Sequence, residues 1–537
     1  MYNEMSGSPD YLLKEIELMK NVTIEDVWDV YNKYIKGRNY VATSFVPKGQ
    51  VELIASGSVN AGIVEEDITN ATKMEVVAST VEVIAKTPSK INRAVPPVAG
   101  SDPAANIPAV WTSSSPNGMK IYGIEAHELP LVTYSIVIKG GHMLDDISKP
   151  GVARFMAQML NEGTGKRTPE ELEEAIQLLG ASINVRASGE DITVSVNSLT
   201  RNFEKTLALV EEMLLEPRWD KEQFAINKTR TINNLKRNLA DANYLASINL
   251  RKLVLGSENI LATDVNGTEE GVEKITVDDL KEFYAKNISP SLSSMLVVGN
   301  LDINRVEKAI AGLNERWQAK EVALPVLNFA PVPETASLHF VDLPDAKQSV
   351  INIGYLALPR NHPDFYKAEV ANYMLGGGVS ARFFMVLREE KGYTYGAYSN
   401  FSGYKNYGTF TANAAVRSDA TFESLRLFRE IMEQYRSSIP EETVAFTKGS
   451  LLKANTRRFE TPGDLLGMLS TISSYGLPFD YVRQEEDFLR SIDSEKLTEI
   501  AQKYINPSRM YYVVVGDAKT QMSSLEKIGI GKPVAMK

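Results

Sequence analysis

The sequence predicts an α+β fold built from two tandem copies of one domain, preceded by the tail of a further copy. Three observations predict it: a segment that recurs three times, strand-like runs grouped apart from long helical runs, and proline-rich connectors between the units.

The recurring segment comes first. Val22-Thr23-Ile24-Glu25-Asp26-Val27, reaching Tyr31, Lys33 and Ile35, aligns without gaps on Ile275-Thr276-Val277-Asp278-Asp279-Leu280, reaching Tyr284, Lys286 and Ile288. A third copy runs from Ile492-Asp493-Ser494-Glu495-Lys496-Leu497 to Ala501, Lys503 and Ile505. Each reads as an amphipathic helix, with Thr23, Thr276 or Asp493 as N-cap and acidic residues in the first turn. A β-type run follows each: Tyr40 to Val46, Ser294 to Val298, and Met510 to Val515. The second and third copies lie 217 residues apart, a domain-sized period and not that of a solenoid. The first copy begins only 21 residues into the chain, so residues 1–60 are expected to be the tail of a domain whose body is not in this sequence.

Connectors mark the other boundaries. Pro88, Pro96, Pro97, Pro103 and Pro108, with Ala, Ser and Gly between them, predict a semi-extended linker over 61–108. A shorter one, Pro325 to Pro333, divides a unit at 109–322 from one at 326–537.

Within the first unit, Lys120 to Ile124 and Leu131 to Ile138 read as strands and Gly151 to Leu160 as a helix. Thr168 as N-cap with Pro169 at the first helical position starts another helix, which stops at Gly180. Ser182 to Val185 and Asp191 to Val196 alternate like strands, and Phe203 to Leu215 is helical. In the second unit Ser349 to Leu356 is a strand and Phe365 to Leu375 a helix. After Gly376-Gly377-Gly378, Ser380 to Glu390 reads as a helix, and Thr394 to Phe401 and Thr409 to Val416 as strands. Strands gathered apart from helices argue against a doubly wound parallel sheet.

Composition bounds the function. A net charge of −10 argues against a general nucleic-acid partner. Zero cysteines exclude disulfides and thiolate metal sites. No apolar run is long enough to predict a membrane span, and Met1-Tyr2-Asn3-Glu4 has neither a basic start nor an apolar core for a signal peptide. The four histidines, His127, His142, His339 and His362, share no metal-ligand spacing and read as isolated surface or turn residues. Gly163 to Thr168 lacks the first glycine and the Lys-Thr pair of a phosphate loop, and Gly376 to Gly378 follows a helix, so neither predicts a nucleotide site.

Three segments carry a family resemblance. Asn117 to Ile121 with Leu129 to Val132 is similar to the first hairpin of the M16 (pitrilysin-like) zinc peptidases. Gly151 to Thr164 resembles the helix that bears their inverted zinc motif, His-x-x-Glu-His. Leu375 to Arg382, running on from Leu387 to Tyr395, resembles the signature of their second, non-catalytic domain. The resemblance covers almost the whole chain. It implies two tandem M16 domains of the LuxS/MPP-like metallohydrolase fold, with a mostly antiparallel sheet packed against helices.

Where the zinc motif should stand, this sequence has Arg154, Ala157 and Gln158. Residues i and i+4 share a helical face, so two imidazoles there can hold zinc while the intervening Glu acts as base. A guanidinium has no lone pair for a metal, a methyl takes no proton, and a carboxamide is a poor ligand. The family's third ligand would fall near Asn233-Asn234, and no acidic residue lies between Gln223 and Ala240. The domain is therefore expected to be metal-free, with zinc only in a catalytic partner, and inactive alone.

The resemblance also implies a role for Arg388 and Tyr395, at the positions from which the non-catalytic domain reaches across the cavity. Both are donors that can stabilise the oxyanion of peptide hydrolysis. The chain is thus expected to be the substrate-cavity half of a zinc peptidase, with a zinc-bearing M16 half or subunit and a peptide substrate as partners. The alternative is an M16-derived scaffold with no peptidase role. The strand at Asn184 to Ser188 corresponds to the family's peptide-pairing edge, and tandem proteins of this type often sit in the bacterial envelope.

Overall fold

In the computed structural model, residues 2–47, 49–60, 62, 90–92, 95, 100 and 104–536 are described. They fall into two compact units, Met1–Pro97 and Val98–Lys537. Most of the expected 61–108 linker, including Pro88, Pro96, Pro97 and Pro103, lies outside the described residues.

The first unit includes, besides a short helix over Tyr2–Ser6, the helices α1 (Tyr11–Asn21) and α2 (Ile24–Tyr34). Thr23 caps α2 through a reciprocal box: its hydroxyl accepts the Asp26 N–H at 3.2 Å, and its own N–H donates to the Asp26 carboxylate at 2.9 Å. No residue of either helix is buried. The expected strand over Tyr40 to Val46 is absent; the segment has no ladder. Strand geometry is held by neighbouring strands, and the described residues of this unit provide none.

The second unit contains two six-stranded sheets with matching topology. The first comprises β1 (Trp111–Ser114), β2 (Lys120–Glu125), β3 (Leu131–Lys139), β4 (Ser182–Ala187), β5 (Asp191–Leu199) and β6 (Ser293–Gly299), in the order β1-β2-β6-β3-β5-β4. The second comprises β7 (Ser337–Asp342), β8 (Gln348–Ala357), β9 (Thr394–Gly403), β10 (Gly408–Arg417), β11 (Tyr511–Gly516) and β12 (Val534–Met536), in the order β12-β7-β11-β8-β10-β9. In each sheet the late strand inserts between two earlier ones, parallel to one and antiparallel to the other: β6 between β2 and β3, β11 between β7 and β8. The remaining pairs, apart from β12 on β7, are antiparallel, and the fold is α+β with two tandem domains of matching topology.

One face of each sheet packs on its own domain's helices. In the first these include α3 (Val152–Met159), α4 (Pro169–Leu178), α5 (Phe203–Leu215), α6 (Lys221–Asn238) and, after the crossover helix α7 (Ala242–Leu255), α8 (Val277–Asn287). In the second they include α9 (Phe365–Gly376), α10 (Thr421–Ser437), α11 (Glu441–Asn455) and, after the crossover helix α12 (Pro462–Tyr475), α13 (Tyr481–Ser491) and α14 (Ser494–Tyr504).

The other face of each sheet is covered by the crossover helix of the opposite domain. Ala246, Leu250 and Val254 of α7 pack on Val350, Val513 and Val515. Leu465, Leu469 and Ile472 of α12 pack on Ile124, Val137, Leu296 and Val298. Burial on both faces explains why β6 and β11 are continuous apolar runs without polar alternation.

Candidate functional site

The helix that should carry the zinc motif is pinned at both ends. Gly151, its N-cap, adopts φ +109° and has no side chain to cap with. Asp145 does the capping: its two carboxylate oxygens accept the N–H groups of Gly151 at 2.7 Å and Ala153 at 2.8 Å. The Asp145 carboxylate also meets His142 Nδ1 at 2.8 Å, and His142 Nε2 lies 2.9 Å from Thr263 Oγ1. His142 sits in a turn as expected, yet it is buried, a structural link and not a surface group. At the other end, the Asn161 amide donates to the carbonyls of Ala157 and Val185 and accepts the Val185 N–H at 2.9 Å.

Between these anchors, Arg154 and Gln158 lie on one face, with guanidinium and amide oxygen 3.4 Å apart. Burial, and then the charge of Arg186 on β4, pull the Arg154 guanidinium below its ordinary value. Ala157 is fully buried, its methyl packed in the core where a catalytic carboxylate would have to stand. Helix α6 does lie against α3, but it presents Phe224, whose ring centroid is 5.9 Å from that of Phe155, and Asn227, which donates to Glu162 at 2.9 Å. Asn233 and Asn234 are exposed. Among the described residues no three His, Cys, Asp or Glu side chains gather where they could hold a metal. A guanidinium, a methyl and a carboxamide do not fit zinc.

The other remaining histidines are dispersed. His127 bridges Asn300 and Glu125 on the surface, His339 meets Ser337, and His362 Nδ1 accepts the Asp364 N–H.

The second candidate set lies beside β9, the edge strand of the second sheet. Helix α9 is held against β9 by Asn372, whose amide donates to the Ser399 carbonyl at 2.7 Å while its oxygen accepts the Ser399 hydroxyl at 2.5 Å. Gly376 completes the contact, because a Cβ there would meet the Ser399 backbone. The expected helix over Ser380 to Glu390 is a short α-turn, Arg382–Phe384, followed by a π-helical turn, Met385–Glu390. Buried Phe383 and Leu387 anchor it, and Gly392 at φ +62° ends it.

Arg388 stands on that π-turn. Its Nη1 is 2.8 Å from Glu389 Oε1, its guanidinium lies 4.9 Å from the Phe384 ring centre, and 44% of the side chain is exposed. Phe384 in turn lies 5.7 Å from the Tyr398 ring on β9. Tyr395 is on β9 at a bulge: Ala397 pairs with Ala414 and Thr394 with Val416, so Tyr395 and Gly396 together oppose Ala415. The Thr394 hydroxyl stabilises the bulge by donating to the Ala415 carbonyl at 2.6 Å and accepting the Gly396 N–H at 3.1 Å. Bulges re-aim side chains at sheet edges, and Tyr395 is 89% exposed. No hydrogen bond or ring contact joins Arg388 to Tyr395 among the described residues. The hairpin turns at the two edges do meet: Glu190 accepts from the Lys405 N–H at 2.8 Å and the Asn406 amide at 3.1 Å.

Two family profiles match this chain: "Insulinase (Peptidase family M16)" over residues 123–256 and "Peptidase M16 inactive domain" over 274–451. The chain belongs to peptidase family M16. Among its M16 relatives, "Non-peptidase homolog YmxG" of Helicobacter pylori is 23% identical over 400 residues, covering 74% of this chain and 91% of that protein. An uncharacterized zinc protease of Streptomyces coelicolor is 23% identical over 368 residues, covering 68% and 80%. Among solved structures, the peptidase M16 inactive domain from Pseudomonas fluorescens superposes with a TM-score of 0.71 at 25% identity, covering 76% of this chain and 98% of that one. A protease from Helicobacter pylori shares the fold, with a TM-score of 0.69 at 15% identity over 76% of this chain and all of that one.

The residues that sequence reasoning missed are Asp145, Asn161 and Asn372. Each acts through contacts distant in sequence or with backbone atoms, which no local motif records.

Proposed function

We propose that this chain is the zinc-less, substrate-cavity half of an M16 peptidase, offering Arg388 and Tyr395 to a zinc site on another M16 half or subunit. The observation that carries the proposal is the Tyr395 phenol, set at a bulge on an edge strand, almost fully exposed and without a partner among the described residues. A large aromatic in that position gains nothing from burial, so a partner surface or a substrate is the natural recipient of its hydroxyl. In peptide hydrolysis the carbonyl oxygen becomes an oxyanion, and a phenol O–H and a guanidinium are donors suited to it.

A scaffold role is the second reading. Arg388 is already engaged by Glu389 and Phe384, and the Helicobacter pylori relative is described as a non-peptidase homologue. The test is peptide hydrolysis by a zinc-bearing M16 half with and without this chain, comparing wild type with Tyr395→Phe. Dependence on the chain, with a fall of about 100-fold in the variant, supports the catalytic reading. Equal rates for variant and wild type establish the scaffold.

A further inference from the structure

Helices α1 and α2 are equivalent, residue for residue, to α13 and α14. Asp10-Tyr11 aligns on Asp480-Tyr481, Val22-Thr23 on Ile492-Asp493, and Tyr34-Ile35 on Tyr504-Ile505, without a gap. The helix limits agree as well: Tyr11–Asn21 matches Tyr481–Ser491, and Ile24–Tyr34 matches Ser494–Tyr504. What differs is the covering. Leu497 and Ile505 are fully buried in the core of the second domain, beneath α9 and α10, while the equivalent Val27 and Ile35 are 59% and 63% exposed. Leu489 is fully buried and Met19 is 68% exposed. The helix pair therefore keeps the apolar stripe of an M16 closing element, and none of its residues is buried among the described residues.

The segment after α2 repeats the pattern. Tyr40 to Phe45 aligns on Met510 to Val515, and β11 is the strand that inserts between β7 and β8. In the first unit this run has no ladder.

We infer that residues 10–46 dock onto the body of a further M16 domain. Helix α2 packs on its equivalents of α9 and α10, α1 on its equivalent of α11, and Tyr40 to Phe45 adds the central strand between its equivalents of β7 and β8. The chain itself shows what covers such a pair, because α13, α14 and β11 are covered in this way in the second domain. The inference deepens the proposed function by naming the surface through which an M16 partner is held.

The probe is a zinc-bearing M16 polypeptide encoded in the same genome, purified alone and titrated with the full chain, without substrate. Binding is followed by calorimetry and by the emission of Trp28. The expected results are binding with a blue shift, and at least a 10-fold loss of affinity for Val27→Asp and for Ile35→Asp. Leu13→Ser is the control: Leu13 is equally exposed, but its equivalent Arg483 faces solvent, so affinity stays unchanged. All three substitutions are at exposed positions and leave folding intact. The inference is overturned if the aspartate variants bind as wild type does, if Leu13→Ser weakens binding as much as they do, or if α2 is instead buried against a second copy of this chain. Because no peptidase rate is read, a negative Tyr395→Phe result leaves this outcome standing.

Discussion

Asn161 holds Val185 by both of its main-chain groups, donating to the carbonyl at 3.0 Å and accepting the N–H at 2.9 Å. In β4 these groups point away from β5, so the side chain occupies the outer edge of the sheet at the position where an extended peptide would pair. The degenerate helix α3 is thereby fastened to the strand that the family resemblance links with peptide capture. Asn161→Ala removes the tie. Each lost hydrogen bond is worth about 0.5–1.5 kcal/mol net, and amide exchange at Val185 is expected to rise while the ladder amides of β5 stay protected. Unchanged exchange at Val185 would show that the contact is not formed in solution.

The amino end of the same helix depends on Asp145. Its carboxylate serves two backbone N–H groups and the His142 ring in a buried setting. Asp145→Ala removes the partner of both N–H groups and of His142 Nδ1, and a cost on the order of 2–5 kcal/mol is expected. Thermal denaturation should show a fall of several degrees. A shift within the noise would mean that water replaces the carboxylate.

A pH dependence arises in the second domain. Glu369 faces a cleft shared with Arg360, Tyr366 and Arg458. Burial pushes its carboxyl up to about 7; Arg360 and Arg458 work against the shift and Glu485 adds to it. The folded state therefore holds a proton that the unfolded chain releases near 4.5. Stability from this group is present below that value and is lost as pH rises toward 7. With 39% of the side chain exposed, solvent screens the effect, so the direction is the observable. Glu369→Gln should melt closer to, or above, wild type as pH rises from 5 to 8. Melting curves whose difference is constant across that range would remove Glu369 as the cause.

The elements legible in the sequence were those set by local chemistry. Thr168 and Pro169 announce a helix start that the structure repeats to the residue, and Phe203 to Leu215 has the predicted limits. The run Tyr40 to Val46 reads as a strand because it follows the recurring helix as Met510 to Val515 does, but a strand is completed by its neighbours. Ser380 to Glu390 has an unbroken helical pattern, yet the chain widens into a π-turn where Phe383 and Leu387 seat in the core. Arg154, Ala157 and Gln158 stand at the zinc-motif positions only by family resemblance, and their chemistry then argues against a metal. That Ala157 is wholly enclosed could not be read in the sequence, since enclosure depends on α6 and the sheet.

That enclosure works against building the family's zinc motif on α3 by simple substitution. Restoring the motif needs Arg154→His, Ala157→Glu and Gln158→His. The two outer positions are half-exposed on one face and accept imidazoles, but Ala157 has no solvent path and is packed within the first domain's core. A glutamate there overfills the core and buries a carboxyl without a partner. Overpacking alone costs about 1–3 kcal/mol, and an unsatisfied polar group adds a comparable amount. Ala157→Glu is therefore expected to lower the melting temperature markedly. The double variant Arg154→His with Gln158→His should remain folded, and without a third ligand from α6 it should not retain stoichiometric zinc through gel filtration. A triple variant that folds as wild type does and keeps one zinc per chain would show that the helix can still open toward a metal.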